Sequence, residues 1–125
     1  MQRKHRTDGL AMVLAVIIGT AGSAALAHAH LETAQPAAGG KAAVVEQIRL
    51  VFSEDLEPRL SSIKLETAEE RTVTEPEAQV DPADPKAMSV HLFEKLPPGV
   101  YKVRWAAVAK DGHRTTGDYS FLVSR

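Results

Sequence analysis

VYKVRWAAVA, Val100 to Ala109, is the stretch whose reading decides the fold. Tyr101, Val103, Trp105 and Ala107 fall in one row, against Lys102 and Arg104 in the other. A period of two with aromatic and β-branched residues is the pattern of a half-buried strand. Leu96-Pro97-Pro98-Gly99 makes a turn before it, and Asp111-Gly112-His113 makes another after it. Asp118 to Ser124 then closes the chain with Tyr119, Phe121 and Val123 aligned.

The same period recurs upstream. Gln47 to Ser53 puts Ile48, Leu50 and Phe52 on one face, with Gln47, Arg49 and Val51 on the other. Ser62 to Thr67 alternates through Ile63 and Leu65. Met88, Val90 and Leu92 share a face against Ser89, His91 and Phe93. Between them lie Thr33 to Lys41, broken by Pro36 and Gly39-Gly40, the connection Ser53 to Pro58, and an acidic, Pro-rich run from Ala68 to Lys86. That run reads as solvated loop, with room for a short strand around Arg71 to Thr74. No apolar pattern of helical period appears beyond the N-terminal segment. The expectation is all-β: one small antiparallel domain of about seven strands, a sandwich or barrel.

The N-terminal segment follows a different logic. Arg3, Lys4 and Arg6 precede the apolar run Leu10 to Ile18, and the segment becomes small-residued before ending Ala25-Leu26-Ala27. Basic, apolar and A-x-A regions in that order describe an export signal covering residues 1–27, cleaved after Ala27. The competing reading is a retained anchor, but a spanning helix needs about 20 strongly apolar residues. Here Gly19, Thr20, Gly22 and Ser23 dilute the second half. Cleavage leaves 98 of the 125 residues, 28–125, enough for one domain. Three of the 15 basic residues and one of the 16 acids leave with the signal, so the remaining formal charge is −3. No basic surplus remains to neutralise phosphates, which argues against nucleic acid. The absence of cysteine excludes both disulfides and thiolate ligands.

Cleavage would also make His28 the first residue. An N-terminal His can close its α-amine and its own ring nitrogen on one metal. The amine's ordinary pKa of about 7.7–8.0 is low enough for Cu(II) to displace its proton. A second imidazole and a carboxylate would complete a nitrogen and oxygen set suited to Cu(II), and His113 and Asp111 are the candidates. Each has a bland alternative, since D-G-H is also an ordinary turn sequence. His30 offers a rival site: a His in third position can bind copper locally, through the amine, two backbone amides and its own ring. His91 reads as an exposed strand residue, and the acids from Glu69 to Asp84 as solvated loop.

Three stretches, taken in order, carry a resemblance: HAHL after Ala27, LVFSEDLEP (Leu50–Pro58) and LPPGVYKVRWAAVAKDGHRTTGDYSFLV (Leu96–Val123). Together they resemble the CopC family of periplasmic copper-binding proteins, including its YobA-like members. The resemblance implies a small Greek-key β-sandwich or barrel, Ig-like or cupredoxin-like. It implies one Cu(II) per chain on the His28 amine and ring, His113 and Asp111. Glu54 would stand beside the metal, orienting a ligand or water, and His30 would be a structural or outer neighbour. Trp105 and Phe121 would pack beneath the site. Some members also hold Cu(I) in a Met-rich loop, but after cleavage only Met88 remains, in strand register on an apolar face, so no Cu(I) site is expected. The implied role is non-catalytic: periplasmic copper homeostasis, resistance or delivery by a monomer, with a CopD-like inner-membrane protein as recipient. The alternatives are a metal-independent interaction module and a copper-dependent oxidase or oxygenase. A copper oxygenase would need an open coordination position and a broad substrate surface, for which 98 residues leave little room.

Overall fold

The structure, a computed structural model, describes residues 28–73 and 77–125. The expected export signal, 1–27, lies outside the described residues. Among the described residues no helix is long and apolar enough to cross a membrane.

Eight strands form in chain order: β1 (Leu31–Gln35), β2 (Lys41–Ala42), β3 (Gln47–Phe52), β4 (Ser62–Thr67), β5 (Gln79–Asp81), β6 (Asp84–His91), β7 (Gly99–Val108) and β8 (Arg114–Val123). They make two four-stranded sheets, in the orders β1-β3-β6-β5 and β2-β8-β7-β4. The fold is an all-β sandwich. The alternating residues meet between the sheets: Ile48, Leu50 and Phe52 of β3 are buried, as are Ile63 and Leu65 of β4. Met88 and Val90 of β6, Tyr101, Val103 and Ala107 of β7, and Tyr119, Phe121 and Val123 of β8 complete the layer. Each large side chain removed from water there contributes about 1.5–3 kcal/mol. Met88 is fully enclosed in this core.

The departures from expectation are local. Strand β2 pairs with β8 in parallel, whereas the other pairings within the sheets are antiparallel. The acidic run holds strand β5, secured where Asp81 meets the Arg49 guanidinium at 3.2 Å. Of the short strand expected around Arg71 to Thr74, Thr74 lies outside the described residues, and Arg71 to Val73 hold a bridge rather than a strand: Thr72 faces Glu66, and the Val73 N–H donates to the Leu65 carbonyl. Strand β8 begins four residues before the expected Asp118, because its first half pairs fully with β7 although its sequence, Arg114-Thr115-Thr116-Gly117, is not apolar.

The β7–β8 hairpin and the start of β1 define one end of the sandwich. Val108 pairs with Arg114, and the five residues between them form the connecting loop. That loop is stitched to the β3–β4 connection by the Leu56–Ala109 bridge and by the Lys110 N–H donating to the Asp55 carbonyl. A salt bridge of 3.0 Å from Lys110 to Glu57 adds to it.

Candidate metal centre

The loop chemistry of Ala109 to His113 fixes two side chains. The Gly112 N–H donates to the Ala109 carbonyl at 2.9 Å, and the Ala109 N–H to the His113 carbonyl at 3.0 Å. Gly112 has φ +89°, a conformation that side-chain-bearing residues avoid. This turn brings Asp111 back onto His113. Its Oδ1 accepts the His113 N–H at 3.0 Å, and its Oδ2 lies 2.9 Å from His113 Nδ1. The His113 backbone N–H and then its ring hold the Asp111 carboxyl below its usual range, and the nearby His28 adds to this. With Nδ1 directed at the carboxylate, His113 keeps Nε2 as its free donor atom.

His28 meets this pair from the other side. Its ring stands edge-on to that of His113, with centroids 5.2 Å apart and planes at 77°. His28 Nδ1 is buried and has no hydrogen-bond partner. A buried imidazole nitrogen without a partner is costly to leave so, and Nδ1 is the atom that would chelate together with the residue's own backbone nitrogen. In the uncleaved chain that nitrogen is a peptide amide, joined to Ala27. Consistent with this, no three His, Asp or Glu side chains among the described residues converge on a metal position by themselves. The side chains give two imidazoles and one carboxylate already committed to His113. A free α-amine at His28 would add a further nitrogen beside Nδ1, and with it the residues present would fit copper.

Two hydroxyls place His28. Ser53, one residue past β3, accepts the His30 N–H on Oγ at 2.9 Å and donates from Oγ to the His28 carbonyl at 3.3 Å. Its own N–H donates to the His30 carbonyl at 2.9 Å. From the opposite sheet Thr115 donates to the Ala29 carbonyl at 2.7 Å, and Ala29 itself is fully buried. The segment therefore spans both sheets at the hairpin end.

Of the residues named from sequence, His28, Asp111 and His113 come together. Glu54 is half-buried next to Ser53 but makes no hydrogen bond or ion pair among the described residues. His30 uses its backbone at the site while the residue stays exposed. His91 pairs with Gln47 at the far end of β3, and its ring contacts that of Phe93. Trp105 packs near the site, edge-on to Phe52 with centroids 5.0 Å apart. Phe121 does not. It stacks on Tyr101, six residues along β8 from Thr115 and so about 20 Å away. Sequence reading missed Ser53 and Thr115 as positioning residues. The available signal was parity, since carrying the Tyr119 and Phe121 row backward puts Thr115 on the inner face, where a hydroxyl needs a partner.

The CopC domain family matches residues 31–124. The chain belongs to the CopC family. It is 39% identical over 114 residues to copper resistance protein C from Escherichia coli, covering 86% of this chain and 90% of that one. Among solved structures, CopC from Methylosinus trichosporium OB3b superposes with a TM-score of 0.72 at 30% identity, covering 78% of this chain and 94% of that one. PcoC, described as a methionine-rich copper resistance protein from Escherichia coli, superposes at 0.68 and 39% identity, covering 78% of this chain and all of the neighbour. Membership in the CopC family makes this a copper-related protein of the sandwich fold seen above. Unlike a methionine-rich relative, the described domain carries a single methionine, Met88, and it is in the core.

Proposed function

We propose that this chain is an exported, non-catalytic carrier of one Cu(II), held by the His28 amine and ring, His113 and Asp111. The observation that carries the reading is the buried, unpartnered His28 Nδ1, set edge-on to an imidazole whose other nitrogen is fixed by Asp111. Nitrogen and oxygen donors favour Cu(II) over Cu(I), and enclosure of Met88 leaves no thioether at the site. Asp111 serves twice: it fixes the His113 tautomer, and its remaining lone pairs supply the carboxylate donor. The site requires export cleavage, because only then does His28 own an amine. The protein accordingly acts in the periplasm as a monomer, in copper homeostasis or resistance, with a CopD-like inner-membrane protein as recipient.

The test is a competitive Cu(II) titration of the protein beginning at His28, beside a form with one extra residue before it. The extension preserves every side chain and removes the amine chelate. A loss of affinity of several orders of magnitude is expected in the extended form. Equal, tight binding by both would show that internal ligands hold the metal and would defeat the proposal.

A further inference from the structure

Resting on the proposed use of His28, we infer that Ser53 and Thr115 decide which of two copper sites the N-terminus can form: they tie residues 28–30 to both sheets and so exclude the local site built around His30. The local site wraps one Cu(II) in the His28 amine, the Ala29 and His30 amide nitrogens and the His30 ring. Each amide gives up its proton to solvent as its nitrogen binds. All four nitrogens belong to three consecutive residues, so the segment must curl around the ion.

The folded chain opposes each part of that rearrangement. The His30 amide, one of the required nitrogens, points its N–H at Ser53 Oγ at 2.9 Å. The His30 carbonyl is held by the Ser53 N–H at 2.9 Å, which fixes the residue in line with β1. The two carbonyls before it are also tied: that of His28 to Ser53 Oγ at 3.3 Å, and that of Ala29 to Thr115 Oγ1 at 2.7 Å. Ala29 is fully buried in the core cluster. Forming the local site therefore breaks the His30 N–H bond to Ser53 outright and strains the three carbonyl bonds and the buried Ala29 beside it. The folded site needs none of this, because the clamp already presents His28 to His113. Ser53 and Thr115 touch no metal donor side chain in this scheme. They are positioning residues, and their effect is on selection between sites.

The experiment follows Cu(II) binding to the mature protein by competitive titration, and counts in-plane nitrogen donors by electron paramagnetic resonance. His113→Ala alone removes the folded site while leaving the clamp. Adding Ser53→Ala and Thr115→Val removes three of the four hydrogen bonds, leaving only the backbone N–H of residue 53 on the His30 carbonyl, and His30→Ala then removes the local site. The His113→Ala protein is expected to bind weakly. The triple variant should regain affinity by on the order of 100-fold, since each hydrogen bond removed is worth up to about tenfold. It should also show a four-nitrogen spectrum, which His30→Ala abolishes. Amide hydrogen exchange of the copper-free protein gives a readout that does not depend on metal. His30 should be protected in wild type and exchange faster in Ser53→Ala, a single change that keeps the core intact. If His113→Ala with an intact clamp already gives the four-nitrogen spectrum at full affinity, or if His30 exchanges freely in wild type, the clamp does not select and the inference is wrong. Failure of the underlying reading looks different: wild-type binding would then be indifferent to both His113→Ala and the extra N-terminal residue.

Discussion

Two buried side-chain atoms among the described residues lack partners, His28 Nδ1 and the Tyr119 hydroxyl, and their surroundings give them opposite meanings. The first belongs to a ring packed edge-on to a second imidazole that is itself held by a carboxylate. The second faces only the core, where burial pushes the Tyr119 phenol up to about 12. An unsatisfied buried hydroxyl costs about 1–3 kcal/mol, and replacing it by hydrogen of the same shape removes that cost. Tyr119→Phe should therefore stabilise the domain by about 1 kcal/mol, raising Tm by about 4–8 °C for a chain of this size. The pH signature has a definite sign. A folded value above the ordinary 10 means that stability is fully present below pH 10 and declines as pH rises toward 12. The Phe variant should lack that alkaline decline and keep wild-type copper affinity. Thermal melts at neutral and alkaline pH decide it, and a lower Tm for Tyr119→Phe would mean the hydroxyl has a partner after all.

At the scale of the element, strands β7 and β8 are matched by size. Trp105 sits directly across from Gly117, and a Cβ placed on Gly117 would fall 2.7 Å from Trp105 Cε2 and 3.1 Å from Nε1. The glycine is there for space, since the indole lies over it while its edge meets Phe52. Gly117→Ala should force the indole off Phe52 and cost about 1–3 kcal/mol, the usual range for overpacking. Urea denaturation measures the loss, and Trp105 fluorescence, from the protein's one tryptophan, reports the displaced ring. A neutral Gly117→Ala would show that the indole has room to shift. The same pairing explains what the sequence made legible. Where the inner row is continuously apolar, as in Ile48-Leu50-Phe52 or Tyr119-Phe121-Val123, alternation marks the strand and its face. Where the inner row is Thr115 and Gly117, the strand persists because β7 supplies its ladder and Trp105 fills the gap, and a one-strand pattern contains neither fact. Strand β5 was hidden likewise, since it is held by pairing with β6 and by the Arg49–Asp81 contact rather than by its own apolar residues. At the site, ionisable residues announced themselves by chemical type. Ser53 and Thr115 did not, because a hydroxyl's role depends on which carbonyl the fold brings to it.

Across the whole molecule, each sheet carries one acid held down in pKa by contacts that tie its strands together. Glu66 of β4 accepts from Arg104 of β7 at 2.9 Å, with Lys64 3.3 Å away. The Arg104 hydrogen bond, ahead of the Lys64 contact, keeps its carboxyl below the ordinary 4.5 despite burial. In the other sheet, Asp81 of β5 accepts the Ala83 N–H and pairs with Arg49 of β3 across β6, which lowers it below 3.8. A folded value below the unfolded one means the stabilisation is present above the ordinary value and is lost as pH falls through the lowered folded value. Both contributions should therefore be fully present from neutral pH down to about 5; that of Glu66 declines below about 4.5 and that of Asp81 only below about 3.8. Glu66→Gln removes one contribution without removing bulk. The variant should be less stable than wild type at pH 7 and converge toward it as pH falls to about 3, because protonation takes the same interaction from wild type. Urea midpoints from pH 7 to 3 test this, and parallel curves for the two proteins would show that the Glu66 charge does not stabilise the fold. Since Asp111 is lowered in the same direction, its grip on His113 should survive through the pH range in which the sandwich is stable and fail with it in acid.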